Sequence, residues 1–588
     1  MIAGLKSRTH WGTALALSLG GLASTTPVRA QLAPPVAPPA SPSVTTPAIV
    51  PRAADLAPKP QVVATDPSVL PPTAKPRELQ KPEDEILVDV SAFAVAEDAP
   101  QKLREALPGL TAAYIGPGKS WEDLINAKDA VTRFLQSQLG YYLGYAYIPE
   151  QSPSTGIIKI DLIEGRLDEV KLLWDDKLPV DKKVVEGYLS RLKPGAILTV
   201  AEVERVVFLI NDLRGITVRF EIEPGSKPGT ANLVVRPQAE NRLAYKFDVD
   251  VNGSRFIGLE RVGAQLIVAS PFGLGDSVSL SALTSINAGM RFALAGYSAP
   301  VGGNGLRLGG AVSAVSYELD KVAFPIGRTG SALSANLFAL YPVIRSRNLN
   351  LFTLLAFDDK RYDDREQASA SITKKRVQSV SLAANGDARD SLATGGVNSY
   401  DFSLSGGSVT YDNGPPSGLI DSPNYTKLNA AVSRIQNIVT GRLLAYVSLR
   451  GQYGFKNLDT TEQFRLGGPD GVRAFANGEG TGDSGALLTL ELRAPLTFAF
   501  LGPVGREAVF ALFADYGTIQ FRHDPNRDTT LAGLSNQATY AGVGAALAWV
   551  RPGKYALRLS VATPTQGQAK GDTVNRNPRI YAQFSAFF

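Results

Sequence analysis

The chain offers few side chains with which to do covalent chemistry. Its 588 residues include two histidines, His10 and His523, and no cysteine. Cysteine-type structural zinc, disulfide frameworks and cysteine nucleophiles are therefore excluded. If the N-terminus is cleaved, His10 leaves with it, and no cluster of histidines remains to hold a metal. A Ser-His-Asp arrangement would then rest on His523, yet His523-Asp524 lies in a stretch that reads as a solvated outer loop. No Gly-x-x-x-x-Gly-Lys-Ser/Thr run is present to cradle a nucleotide. Neither catalysis nor a cofactor is expected. The net charge of +5 is diffuse, without a block of lysines and arginines, so nucleic acid is not an expected partner. What remains is an electrostatic possibility. Arg473 stands in the glycine-rich stretch Leu466-Gly467-Gly468-Pro469-Asp470-Gly471-Val472-Arg473-Ala474-Phe475, and Asp515 in Phe513-Ala514-Asp515-Tyr516-Gly517. A guanidinium and a carboxylate can bind each other bidentately if the fold brings them together.

The elements that would position these two groups are strands. From residue 242 onward the composition shifts to Gly, Ala, Leu, Ser and aromatics, and the pattern takes a period of two. In 443–453 one face reads Leu443, Ala445, Val447, Leu449, Tyr453, and the other Tyr446, Ser448, Arg450, Gln452. Leu488, Leu490, Leu492 and Ala494 likewise alternate with Thr489, Glu491 and Arg493. A strand needs this when one face meets lipid and the other a wet lumen, whereas a soluble sandwich would keep its second face dry. Sixteen such segments begin near residues 242, 258, 277, 291, 305, 330, 349, 374, 398, 426, 441, 486, 507, 538, 553 and 578. An even count fits a closed antiparallel barrel, which leaves no backbone amide unpaired in hydrocarbon. The expected fold is thus a 16-stranded transmembrane β-barrel over 242–588. Short turns such as 271–276 alternate with longer loops such as 412–426, as periplasmic turns and extracellular loops would. In its strand Asp515 shares a face with Ala511, Phe513 and Gly517, opposite Phe510, Leu512, Ala514 and Tyr516, so it should point inwards. If the long connection 456–485 folds back into the lumen, Arg473 needs a carboxylate there, and Asp515 is the expected partner. Breaking such a buried pair would cost about 3–5 kcal/mol. The final strand ends with Phe584, Ala586 and Phe588 on one face, and Phe588 reads as the C-terminal signal of the barrel.

Three regions precede the barrel. Residues 1–30 combine Lys6 and Arg8 with an apolar stretch from Trp11 to Leu22 and a small-x-small site before Gln31, the pattern of a secretory signal peptide. Residues 31–83 are a proline-rich linker that cannot bury a core. Residues 84–165 and 166–240 read as two small α+β modules. The first has a strand Ile86–Val90, a helix capped by Ser120 with Asp123 and stopped near Gly140, and a strand Ile157–Ile163. The second has a helix near Val180–Leu192, another capped by the box Thr199–Glu202, and strands Ile216–Glu223 and Asn232–Arg236.

The motif around Arg473 resembles the Val-Arg-Gly-Tyr/Phe loop of the Omp85 superfamily, and Phe513-Ala514-Asp515-Tyr516-Gly517 resembles its Phe-x-Asp-x-Gly motif. The paired modules resemble polypeptide-transport-associated (POTRA) domains. The stretches Gly144–Gln151, Ile163–Arg166 and Glu204–Gly225 are similar to those of two-partner-secretion outer-membrane transporters. The resemblance covers nearly all of 84–588. It implies an outer-membrane translocator with periplasmic modules that binds a large, unfolded, β-rich secreted protein and exports it without ATP. It also implies outer-membrane lipid around the barrel and the barrel assembly machinery as the partner of its own insertion. In this picture the Arg473–Asp515 pair positions the loop tip. Outer-membrane assembly factors of the same superfamily are the alternative, although these usually carry three or more modules; a passive porin would need none. One departure is Ala474, where the superfamily usually has glycine. Were that backbone left-handed, alanine would cost about 1 kcal/mol. The linker also leaves little room for the plug helix of other members.

Overall fold

The computed structural model describes residue 70 and residues 87–588, apart from 152–154, 413–421, 497–501, 503–506, 529–530, 532, 570 and 573–575. The expected signal peptide and nearly all of the proline-rich linker, with any plug helix in it, lie outside the described residues.

Two α+β modules come first, each with its own core. In the first, helices α1 (Gln101–Thr111) and α2 (Trp121–Ser137) cover the short strands Val88–Val90, Ala92–Ala94, Tyr145–Tyr147, Ile157–Lys159 and Asp161–Ile163. Helix α2 starts where the sequence sets it. The Asp123 N–H donates to Ser120 Oγ at 3.2 Å, and the Ser120 N–H donates back to the Asp123 carboxylate at 2.9 Å. The Ser120 N–H and then its hydroxyl, both donating to that carboxylate, hold the Asp123 carboxyl below the usual aspartate range. Leu124, Ala127, Val131 and Leu135 then face the core, and Gly140 is left-handed just past the helix end. The expected strand 157–163 is in fact two. Ile157–Lys159 pairs in parallel with Ala92–Ala94, after which the Ile160 N–H bonds to Ala94 O and Asp161–Ile163 pairs antiparallel with Tyr145–Tyr147. The chain changes sheet at Ile160, so one alternating run serves two partners.

The second module packs helices α3 (Lys182–Leu189) and α4 (Val200–Asn211) on a three-stranded sheet ordered Arg166–Leu172, Thr230–Ala239, Ile216–Pro224. Val203, Val206, Val207 and Ile210 of α4 are fully buried against Val218, Phe220, Leu233 and Val235. Only half of the expected capping box forms. Thr199 Oγ1 accepts from the Glu202 N–H at 3.3 Å, but the Glu202 carboxylate bonds the Thr199 hydroxyl at 2.8 Å rather than its backbone.

The barrel strands are β1 (Leu243–Asp250), β2 (Arg261–Ala269), β3 (Ser277–Ser285), β4 (Met290–Val301), β5 (Leu306–Glu318), β6 (Arg328–Arg345), β7 (Leu349–Glu366) and β8 (Ser371–Asp390). They continue as β9 (Gly396–Tyr411), β10 (Asn424–Val439), β11 (Leu443–Gly454), β12 (Ser484–Pro495), β13 (Ala508–Gln520), β14 (Gln537–Arg551), β15 (Tyr555–Gln566) and β16 (Arg579–Phe587). Each pairs antiparallel with the next, and β16 closes on β1 in a seam from Lys246–Phe587 to Asp250–Gln583. Closure leaves no edge within the bilayer. Alternation places leucine, valine and aromatics outside and Asp248, Asp250, Lys360, Lys375, Lys427, Glu491 and Asp515 inside. Phe588 extends the seam through reciprocal backbone bonds with Tyr245, and its ring stands 6.0 Å from Phe247 on the outer face.

The second module is fastened to the end of the barrel that carries the short turns. Arg345 of β6, with an almost wholly buried side chain, binds the Asp212 carboxylate at 2.8 and 3.0 Å. Arg205 of α4 donates to Pro342 O and Val343 O, and Arg307 of β5 to Asp212 O and Gly275 O. Asp181 and Arg214 add backbone bonds to Gly273 O and Gly275 O in the β2–β3 turn.

Candidate functional site: a loop folded into the lumen

The connection between β11 and β12 is the sixth loop at the opposite end, and it turns back inside the barrel. A small hairpin of Phe464–Arg465 and Thr481–Gly482 forms its stem. Leu466, Val472, Ala474 and Phe475 are buried against Leu487, Phe513, Ile519 and Tyr540 of the wall. A backbone this rich in glycine pays heavily in entropy to become ordered, so it needs close packing in return. Three glycines permit that packing. A Cβ on Gly471 would lie 1.8 Å from Leu466 O, one on Gly517 of β13 2.6 Å from Leu466, and one on Gly542 of β14 2.5 Å from the Ala474 methyl. The loop is cinched by Val472 N–H to Leu466 O at 2.7 Å, and Tyr581 of β16 donates to Phe475 O at 2.7 Å.

Arg473 stands between two acidic groups of the wall. Its Nε and Nη2 donate to the two Asp515 oxygens, each at 2.8 Å, and its own N–H adds a third bond at 3.1 Å. Nη1 donates to Glu491 of β12 at 2.7 Å, and the guanidinium carbon lies 3.3 Å from the centre of the Phe513 ring. Thr489 donates to Asp515 at 3.1 Å, while Arg493 binds the other Glu491 oxygen at 2.7 Å and stacks on Tyr446. Two cations and two carboxylates thus balance in a nearly dry site, the condition under which buried charges are tolerated.

Gly471, Val472, Arg473, Ala474 and Phe475 therefore come together with Phe513, Asp515 and Gly517 as the sequence reading anticipates. Two details differ. Arg473 is shared with Glu491, which the alternation places on the inward face but which register alone brings opposite Phe513, beside the pair Thr489–Asp515. Ala474 is absent from the left-handed residues of the chain, so the anticipated backbone penalty does not arise. Its methyl instead fills the space that Gly542 leaves open. His523 is exposed at the outer rim with its ring edge-on to Tyr453.

A sixteen-stranded barrel, an inward-folded sixth loop and two α+β modules at the opposite end frame the comparison with known proteins. Residues 229–540 match the profile of the haemolysin secretion/activation proteins ShlB/FhaC/HecB, and residues 96–165 that of the ShlB-type POTRA domain. The chain belongs to the ShlB/FhaC/HecB family. It is similar to the heme/hemopexin transporter protein HuxB of Haemophilus influenzae (strain 86-028NP), with 26% identity over 463 residues, 77% of this chain and 79% of that one. The outer membrane transporter CdiB of Dickeya dadantii (strain 3937) is 24% identical over 462 residues, 75% of this chain and 77% of that one. The solved structure of CdiB from Escherichia coli shares the fold, with a TM-score of 0.65 at 19% identity over 87% of this chain and 92% of that one. BamA from Haemophilus ducreyi lacking POTRA domains 1–3 shares it more distantly, with a TM-score of 0.52 at 14% identity over 86% of this chain and all of that one. As a family member the chain is a two-partner-secretion protein of the outer membrane. Its first module is a ShlB-type POTRA domain, and such domains are periplasmic in this family, so the short turns at that end of the barrel are periplasmic. The relatives are transporters rather than enzymes.

Proposed function

We propose that this protein exports a large, β-rich secreted partner, which its POTRA domains receive unfolded and its barrel conducts outward as an extended chain. The observation that carries this is the pairing of a module docked on the short turns with a lumen occupied by the chain's own sixth loop. The second POTRA sheet offers an edge for the incoming chain. Its first edge, Arg166–Leu172, is partly covered by 195–198, through Leu167 N–H to Ala196 O and Gly195 N–H to Leu167 O. On the other edge, Ile216–Pro224, Asn211 engages only the Val218 end, with bonds of 2.8 and 3.0 Å. A strand added beyond it would gain backbone bonds with little demand on sequence. No nucleotide-binding loop is present in the sequence, so folding of the cargo outside supplies the direction. The Arg473 site positions the loop in the lumen, and Phe588 marks the barrel for the assembly machinery that inserts it into outer-membrane lipid.

The test is quantitative mass spectrometry of medium and cell surface from wild type and a deletion strain, with complementation by wild type and Arg473→Ala. Loss of one or a few large secreted proteins, restored by wild type alone, is the expected result. A broad fall in outer-membrane barrels would make the protein an assembly factor, and no change in either set would leave a pore for small solutes.

A further inference from the structure

A second charged cluster lies away from Arg473, on other strands. Lys360 of β7, Lys375 of β8 and Lys427 of β10 point into the lumen and are almost fully buried. Lysines are buried to this extent only when paired. Their partners come from the descending limb of the sixth loop. Glu462 receives Lys360 Nζ at 2.9 Å on one oxygen and Lys427 Nζ at 2.7 Å on the other. Asp459 receives Lys375 Nζ at 2.9 and 3.2 Å, the Thr461 hydroxyl at 2.6 Å, and the Tyr411 hydroxyl. Lys427 and Gln452 also donate to the Glu462 carbonyl, at 3.0 and 2.9 Å. Between the two carboxylates and the start of the limb, Leu458 is buried among the apolar residues of the wall.

The geometry separates this cluster from the Arg473 site in two respects. It uses β7, β8 and β10, where Arg473 uses β12 and β13. It also holds the limb that leaves β11, where Arg473 holds the tip. Without the limb, three ammonium groups would share only Asp358 and Asp364 of the wall and stand in excess over them in a wet channel; the two loop carboxylates bind them directly and desolvate them. We infer that Lys360, Lys375 and Lys427 form a carboxylate-binding seat in the lumen, that its resting occupant is the loop's own Asp459 and Glu462, and that this seat holds the descending limb independently of Arg473. Clearing the lumen then requires two releases, one at each seat.

The cysteine-free sequence makes a direct test simple. Leu458→Cys is introduced into the full-length protein, and its rate of modification by a membrane-impermeant maleimide is followed in isolated outer membranes. In the otherwise native chain the thiol reacts slowly. Adding Lys360→Glu, Lys375→Glu and Lys427→Glu raises the rate about tenfold or more, as the seated population falls. Further addition of Asp459→Lys and Glu462→Lys restores slow reaction, a rescue that general loosening of the barrel would not produce. Arg473→Ala alone leaves the thiol protected. Slow reaction in the lysine-reversed chain, or fast reaction from Arg473→Ala alone, would overturn the inference. If the lysine-reversed chain fails to assemble, the fully charge-swapped chain decides: an assembled barrel with a fast-reacting thiol overturns the seat, and one with a slow-reacting thiol supports it.

Discussion

Arg473 is held by three bonds to Asp515 and one to Glu491, so its two wall partners are unequal. Removing the guanidinium leaves two carboxylates facing Arg493 alone. Arg473→Ala is expected to cost about 3–5 kcal/mol of loop seating, with secretion largely lost while the barrel still resists detergent unfolding. Asp515→Asn should weaken secretion less than Asp515→Ala, because the amide keeps an acceptor for Arg473. Secretion titre and heat-modifiable electrophoretic mobility together check both. A second expectation concerns Gly542. An added methyl there would meet the Ala474 Cβ at 2.5 Å, so Gly542→Ala should cost about 1–3 kcal/mol by overpacking. The pair Gly542→Ala with Ala474→Gly should regain most of that in thermal unfolding. A stable single variant with no gain from the pair would show that the loop does not pack there.

At the scale of elements, the open edge of the second module's sheet is the piece whose role is easiest to isolate. Val218 turns its N–H and carbonyl outward to Asn211, so alternation gives the same outward sense to Ile222. Ile222→Pro would delete an outward donor without touching the ladder to Thr230–Ala239, a position where strands tolerate proline. Client binding to the purified protein should fall severalfold, with the circular dichroism of the protein unchanged. Unaltered binding would remove strand addition at this edge. Elements also show where sequence reading stops. Alternation located all sixteen barrel strands to within three residues of their observed starts, because one face meets lipid over the whole strand. Helix α1 escaped it, since Pro108 and Gly109 break the helical pattern that burial of Leu103 and Leu107 nevertheless sustains. The 157–163 run escaped it because alternation does not report which sheet a strand joins.

For the whole molecule, the decisive contact is the collar between the second α+β module and the periplasmic turns. The Arg345 side chain is buried on both sides of that contact, beneath Phe208 of α4 and beside Phe352 of β7. Asp212→Ala would remove the carboxylate that its guanidinium grips through two bonds, leaving Asn350 and the more distant Asp387, at a cost of about 1.5–3 kcal/mol. The expected outcome is faster hydrogen exchange in α4 and in the β2–β3 turn, with exchange in the barrel wall unchanged. Equal exchange in both would show that the collar is held by its apolar contacts alone. A fixed collar keeps the open sheet edge at a constant place relative to the periplasmic turns, as the proposed hand-over of an extended client requires.

The sequence by itself determined the materials and their order: strands with one apolar face, two α+β modules before them, a glycine-rich loop with an arginine, and an inward aspartate to meet it. These follow from local rules, since period, capping and turn chemistry act over a few residues. Tertiary structure decided which charges meet. Glu491 joins Arg473 because β12 and β13 pair in one register out of several that alternation allows. Asp459 and Glu462 find three lysines 35, 84 and 102 residues away, on strands whose neighbourhood exists only after the barrel has closed. Arg345 reaches Asp212 across 133 residues, between a strand and a helix end that each look ordinary in sequence. A charged residue announces that it needs a partner, and alternation says which side it faces. Closure of the barrel and the docking of loop and module upon it supply the partner, because the low dielectric that makes pairing obligatory is itself made by the fold.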